Sequence, residues 1–293
     1  MSSIIPLVFA WVCGAGIFAC FRWLERLGAD TLQVIVVNYF MAAGLGWYFA
    51  GGPAAFLHVW PNPWTIAASV AGVAFLYLFN LMAKASQTLG VTVTSVSAKL
   101  SMVLPVLVFL VFDPTDGLNW NKALALILAL PAIVCSSWKD GTHGFSWKQL
   151  TLPLIIFTGG GLIDLMFGWY SGPEYMTSDS DRYLFTTIPF TIAGILGAAW
   201  LFFRSPPPTR GLNLLPTVGI GMGLGFINLG SLYFLLEAYA QLPLDRSAIT
   251  PVVNLGVVVL ASGLAAWFFK EHLNPINKLG LFLACIAIAL LGF

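Results

Sequence analysis

The chain is built from long, nearly uninterrupted apolar runs separated by short polar turns. Ten runs can be drawn: Ile4–Phe21, Thr31–Ala50, Trp64–Ala83, Val91–Phe112, Lys122–Ser137, Leu150–Tyr170, Tyr183–Phe203, Leu214–Leu236, Ala248–Phe269 and Leu279–Phe293. Each approaches the ~20 residues that a helix needs to cross a bilayer. Backbone amides in hydrocarbon must be paired internally, which leaves helices or closed barrels. Barrel strands alternate in polarity over about ten residues, and these runs do not. The pattern predicts an all-α polytopic membrane protein with ten spans, numbered 1 to 10 in chain order. The connections carry turn chemistry: Gly51-Gly52-Pro53, Asp113-Pro114-Thr115-Asp116-Gly117 and Ser205-Pro206-Pro207-Pro208. None is long enough to form a soluble domain. Span 1 lacks a basic leader and an Ala-x-Ala site, so it reads as a retained helix and not a cleaved signal.

Composition sharpens that reading. Of 293 residues, 59% are hydrophobic and 9% charged, against roughly 25% charged in soluble domains. An ordinary soluble enzyme and a disordered chain are both excluded. A net charge of +1 without a basic stripe gives no grounds for a nucleic-acid partner. Cys13, Cys20, Cys135 and Cys285 all fall inside spans and form no CxxC pattern, so they read as small packing residues. His58, His143 and His272 are scattered in connections. The sequence therefore predicts no metal and no cofactor. Gly219, Gly221, Gly223 and Gly225 in span 8 read as close helix packing and not as a phosphate loop, because no Lys-Ser/Thr follows. Trp11, Trp47, Trp60, Trp64, Trp120, Trp138, Trp147 and Trp267 near span ends read as interfacial belts.

The chain also repeats itself. Lys84-Ala-Ser-Gln-Thr-Leu-Gly-Val-Thr-Val-Thr-Ser matches Glu237-Ala-Tyr-Ala-Gln-Leu-Pro-Leu-Asp-Arg-Ser-Ala in pattern. Both leave an aromatic-rich span, cross a polar turn and enter a span with small hydroxylated residues. Leu118-Asn-Trp-Asn-Lys-Ala-Leu-Ala-Leu likewise matches Leu273-Asn-Pro-Ile-Asn-Lys-Leu-Gly-Leu, and the shifts are 153 and 155 residues, about half the chain. Two halves of five spans follow, residues 1–140 and 141–293. Five is odd, so the second half enters the membrane inverted, the arrangement of many secondary transporters.

Two stretches carry a family likeness. They are Ala83-Lys84-Ala-Ser-Gln through Ser97-Ala-Lys-Leu-Ser-Met-Val-Leu-Pro105, and Ser247-Ala-Ile-Thr-Pro251 through Trp267-Phe-Phe-Lys-Glu271. The second ends in a hydrophobic-to-Glu junction just before the last span. In these features the chain resembles the drug/metabolite transporter superfamily, in its ten-helix EamA-type branch. The resemblance implies four helices of each half around a central cavity, with the fifth peripheral. It further implies transport of a small organic solute, commonly export, in a bacterial inner (cytoplasmic) membrane.

Polar groups inside spans are the candidate chemistry, because lipid offers them no partners. Lys99 lies about 12 Å into span 4, toward the middle of a ~30 Å core, where insertion costs about 2.5–3.5 kcal/mol. Thr92, Ser95 and Lys99 share one helical face. Lys99 reads either as a cavity-facing cation for a carboxylate or phosphate, or as a lysine that snorkels to the interface. Asp164 is the only acid deep inside a span and follows Gly159-Gly160-Gly161. Its readings are a proton-coupling carboxylate, a partner for Lys99, a ligand for a substrate amine, or a structural hydrogen-bonding group. In span 9, Arg246, Thr250 and Asn254 recur every four residues and Pro251 can open the helix locally. Asn254, Asn38, Tyr39, Asn80, Lys84 and Asn228 stand open between lining a cavity and joining helices.

The expected substrate-binding set is thus Lys99, Ser95, Asn80, Asn228, Asn254, Asn38 and Tyr39, with Asp164 as the coupling candidate. No nucleophile–base or metal constellation is visible, so an enzyme is not expected. The expected function is a secondary carrier, by alternating access, for an amino-acid-like or other carboxylate solute. The expected partners are that solute, the bilayer and a coupled proton. The alternatives are a multidrug or cation exporter and a lipid-handling or scrambling protein. Two orientation signals in the chain oppose each other. Basic residues concentrate in the odd connections, which places both termini outside by the positive-inside rule; the family likeness places them inside.

Overall fold

A computed structural model describes residues 4–112, 119–138, 147–170, 175, 178–204, 214–241 and 246–292. The turns at Asp113–Gly117 and Ser205–Pro208, Lys139 and His143 lie outside the described residues, as do the side chains of His58, Trp147, Lys148, Arg182 and Arg246. Twelve helices and no strand are found among the described residues. They are α1 (Ile5–Leu27), α2 (Thr31–Phe49), α3 (Ala54–Val59), α4 (Pro63–Thr88), α5 (Val91–Leu100), α6 (Val103–Phe112), α7 (Trp120–Ser136), α8 (Trp147–Tyr170), α9 (Asp179–Phe203), α10 (Leu214–Gln241), α11 (Arg246–Phe268) and α12 (Pro275–Gly292). Eight helical segments are long and apolar enough to cross a membrane, one of them Val91–Phe112 with its internal break; Trp120–Ser136 and Pro275–Leu291 are shorter apolar helices. The described residues are those of an all-helical, multi-pass membrane protein.

Local sequence accounts for most helix ends. Asp30 caps α2 by accepting from the Gln33 amide at 3.1 Å, and Asn119 caps α7 by accepting from the Lys122 amide at 2.8 Å. Ser178 and Asp181 form a reciprocal capping box at the start of α9. Asn274 and Asn277 do the same for α12, at 2.7 and 3.1 Å. Asn119 and Asn274 occupy matching places in the two repeated segments. The helices that follow them, α7 and α12, start 155 residues apart, as do α5 and α11.

Two refinements to the expected spans stand out. Span 3 does not end at Ala83: α4 runs on to Thr88, and the turn comes at Leu89-Gly90, with Gly90 at φ +105. Span 4 is broken into α5 and α6. Pro105 explains the break, since its ring has no N–H for the Ser101 carbonyl and clashes with it. That carbonyl accepts instead from the Leu104 amide at 3.0 Å. The expected opening at Pro251 does not occur, and α11 runs through it from Arg246 to Phe268. Pro251 stands close to the N-terminus of α11, where the hydrogen-bond ladder has barely begun.

The chain forms two compact units. The first holds Met1–Arg22, Leu81–Leu165 and Gly230–Phe293; the second holds Trp23–Asn80 and Met166–Leu229. Each draws on both halves of the sequence.

In the first unit the closest partners are α7 and α12. Lipid tails are as apolar as leucine, so helices in a bilayer associate through close packing and polar contacts. Both helices accordingly present small residues: Ala125, Ala129, Ala132 and Ser136 on α7, and Gly280, Ala284 and Ala287 on α12. A Cβ on Gly280 would stand 2.7 Å from the Ser136 Cα. The Asn277 amide donates to the Cys135, Ser136 and Trp138 carbonyls at 2.7–3.2 Å, closing the end of α7. Val96, Leu100, Val103, Ile133, Phe157, Val258 and Ile288 complete a dry core from α5, α6, α7, α8, α11 and α12.

In the second unit α2 pairs with α9. Gly46 lies against Thr187, and Gly197 against Val36. Gly221 and Gly225 of α10 face α2, where a Cβ would fall 2.5 Å from Val37 and 2.6 Å from the Asn38 carbonyl; Gly219 and Gly223 meet nothing. Close packing is thus carried by two of the four alternating glycines. The tryptophan belt needs correcting. Trp60, Trp120 and Trp267 are exposed, but Trp64 is buried against Leu184, Phe185 and Ile188, and the Trp47 indole donates to Thr191 at 3.0 Å. In the first unit the Trp11 indole donates to the Val252 carbonyl at 3.2 Å and lies on Gly256.

Candidate functional site

The broken span gathers the polar chemistry of the first unit. Its first piece, α5, is held at the N-terminus by Glu271. That carboxylate accepts from the Val91 amide at 2.6 Å, the Thr92 amide at 3.3 Å and the Thr92 hydroxyl at 3.0 Å. Three donors meet one anion at the positive end of the helix. Lys99 stands in the last turn of α5, where the negative end of the same helix favours a cation. The short helix is therefore charge-matched at both ends.

The hydroxyls of α5 turn back on their own backbone. Thr94 donates to the Gly90 carbonyl at 2.8 Å, Ser95 to Thr92 at 3.1 Å and Ser97 to Val93 at 2.8 Å. Ser95, expected beside Lys99 as a substrate ligand, is fully buried, and the Thr92 hydroxyl below it is committed to Glu271.

At the break itself Ser101 is the junction. Its Oγ lies 2.7 Å from the Ala98 carbonyl oxygen and 2.7 Å from the Asp164 Oδ2. The glycines before Asp164 make this approach feasible: a Cβ on Gly160 would stand 3.0 Å from Ser101, and one on Gly161 2.7 Å from the Leu104 Cβ. From α11, the Asn254 amide donates to the Met102 Sδ at 3.2 Å. Lys99 and Asp164 attract each other electrostatically, yet no direct ion pair between them is found among the described residues. Lys99 is half-buried and makes no hydrogen bond to them either. Asp164 keeps an exposed surface although protein surrounds it.

The break therefore brings together Lys99, Asp164 and Asn254 of the expected set and adds Ser101 and Met102. Pro105, six residues beyond Lys99 inside an apolar span, is the sequence signal that marks this place. Glu271 is also missed as a site residue, because its partner lies 180 residues away.

The other expected ligands lie in the second unit. Asn228 donates to the Asn38 Oδ1 at 3.1 Å, and the Asn38 amide group lies 3.4 Å from the Ile35 carbonyl. The Tyr39 hydroxyl donates to the Phe75 carbonyl at 2.7 Å, and the Asn80 amide to Leu76 at 2.7 Å. Asn38, Tyr39 and Asn228 are buried, and each spends hydrogen bonds on neighbouring helices or on its own. Among the described residues no group of three His, Cys, Asp or Glu side chains could hold a metal ion.

No known protein family's profile matches the chain. An uncharacterized protein of Haemophilus influenzae is 25% identical over 293 aligned residues, covering 96% of this chain and 95% of that one. A solved crystal structure superposes with a TM-score of 0.60 at 15% identity, covering 99% of this chain and 96% of its own, which shows a shared fold.

Proposed function

We propose that the chain is a secondary transporter of a small organic solute, of the EamA-type ten-helix kind, resident in a bacterial inner membrane. The solute carries a carboxylate, as an amino acid does, and leaves the cell by alternating access. The observation that carries the reading is the break in span 4 beside Lys99. Secondary carriers commonly bind substrate at discontinuous helices near the bilayer midplane, where unwound backbone lines an accessible space. Here the break sets an ammonium without a hydrogen-bond partner among the described residues beside an exposed carboxylate. An unpaired charge in such a place is costly, and a solute anion would offset the cost at Lys99 while Asp164 takes its amine.

The two-half inverted repeat is part of the same proposal. Its support is that α2 packs on α9, α5 on α11 and α7 on α12, each pair five spans apart, with helix starts 155 residues apart in the last two. A cation exporter is the second reading, favoured by the exposed carboxylate of Asp164.

The test is thermal unfolding of the purified full chain with amino acids, other carboxylates and organic cations. A ligand at a hundred times its Kd stabilises by about 2.7 kcal/mol. The carboxylate class should raise the unfolding temperature of the wild type, and the rise should vanish in Lys99→Met with the baseline unfolding temperature kept. Retained stabilisation in Lys99→Met, or stabilisation by cations alone, overturns the assignment.

A further inference from the structure

Two acceptors compete for the one hydrogen of Ser101. The hydroxyl oxygen lies 2.7 Å from the Ala98 carbonyl and 2.7 Å from the Asp164 carboxyl oxygen, each the length of a full O–H···O bond. A serine carries one hydrogen. A carbonyl only accepts, and an ionised carboxylate only accepts. With Asp164 ionised, the two acceptors share that one hydrogen; with Asp164 in its acid form, a second hydrogen is supplied and each contact becomes a full bond. In that acid form the chain of donation runs from the Asp164 O–H to Ser101 Oγ, and from the Ser101 O–H to the Ala98 carbonyl. That carbonyl belongs to the last turn of α5, where carbonyls lack partners within the helix.

We propose that Ser101 is a positioning residue that reads the proton on Asp164 and passes it to the bend of span 4. With the proton present, Ser101 gives its hydrogen to Ala98 and holds the last turn of α5 closed. When the Asp164 O–H bond breaks and the proton passes to water, the carboxylate takes the Ser101 hydrogen. The Ala98 carbonyl then loses its side-chain donor, and the turn carrying Lys99 loosens. No other bond changes. Lys99 is the charged group facing Asp164 from α5; Leu104 of α6, which packs on Gly161, brings none. Proton release on α8 thus becomes a change in the angle between α5 and α6, beside the ammonium. The inference rests on the carrier reading for its purpose, but not for its test, which uses protons alone.

Infrared difference spectra of the full chain in lipid nanodiscs, between acid and alkaline pH, read the carboxylic-acid C=O band. A band should be present that vanishes in Asp164→Asn, moves in Ser101→Ala and returns toward its wild-type position in Ser101→Thr. Spin labels at the exposed Thr88 and Val111, in a background lacking the four native cysteines, read the bend. Their separation should change with pH in the wild type and in Ser101→Thr, and stay constant in Ser101→Ala and Asp164→Asn. An unchanged helical amide band across the set shows that the variants fold. The proposal is overturned if Asp164→Asn leaves the carboxyl spectrum as it was, or if Ser101→Ala keeps the full pH-dependent change in separation. If no solute binds in the unfolding test while both readouts behave as stated, the carrier reading fails and the proton-sensing hinge stands.

Discussion

Two of the places where apolar helices carry polar side chains treat them in opposite ways. Where α2 meets α10, Asn228 donates to Asn38, both side chains are buried, and Gly221 and Gly225 bring the backbones close. Around the break in span 4, Lys99 finds no hydrogen bond among the described residues, Asp164 stays exposed, and one serine hydroxyl faces two acceptors. The first place closes its polar capacity on itself, which is how polar groups join helices in lipid. The second leaves capacity open, which is costly unless something else arrives to use it. A polar residue in a span is thus read better by what it leaves unsatisfied than by its depth.

Substitutions sharpen that contrast, starting with Glu271. Its three hydrogen bonds hold the half-helix that carries Lys99, and bonds to charged groups contribute about 1.5–3 kcal/mol. Glu271→Ala should lower stability by that order and weaken solute binding together, whereas Glu271→Gln, which keeps one acceptor oxygen, should recover part of both. Chemical unfolding alongside a ligand titration checks the pair, and a variant that loses neither shows that α5 needs no such anchor.

Gly225→Leu comes next. A side chain there runs into the Asn38 carbonyl and Met41, and overpacking of this kind costs about 1–3 kcal/mol. Gly223→Leu, which meets nothing within 4 Å, should leave the unfolding transition in place. Equal effects at the two glycines would mean that α10 does not pack on α2 by this face.

The smallest effect belongs to the asparagine pair. Hydrogen bonds between membrane helices average about 0.6 kcal/mol. The double change Asn38→Leu with Asn228→Leu should therefore cost little stability and leave solute binding as it was. A loss of binding beyond tenfold would move these residues from structure to site.

Much of the fold was legible because apolar run length and turn residues are local signals. The predicted start of span 2 at Thr31 and the ends of spans 6 and 7 at Tyr170 and Phe203 coincide with helix ends. The site was legible only in part. Lys99 and Asp164 stand out as charges in apolar surroundings, but Ser101 looks like any small membrane residue until Asp164 is beside it, and the cap made by Glu271 spans 180 residues. Trp64 shows the same limit from the other side. Its place near a span end suggests an interface, and only the aromatic cluster around Phe185 accounts for its burial.

Thiol accessibility directly measures the contrast between the open break and the closed asparagine pair. Single cysteines at Lys99, Asp164, Asn38 and Asn228, in a background lacking the native four, would be exposed in intact membranes to a small water-soluble thiol reagent. Cysteines at Lys99 and Asp164 should react, while those at Asn38 and Asn228 stay inert. Inert cysteines at Lys99 and Asp164, or free reaction at the asparagine positions, would contradict it.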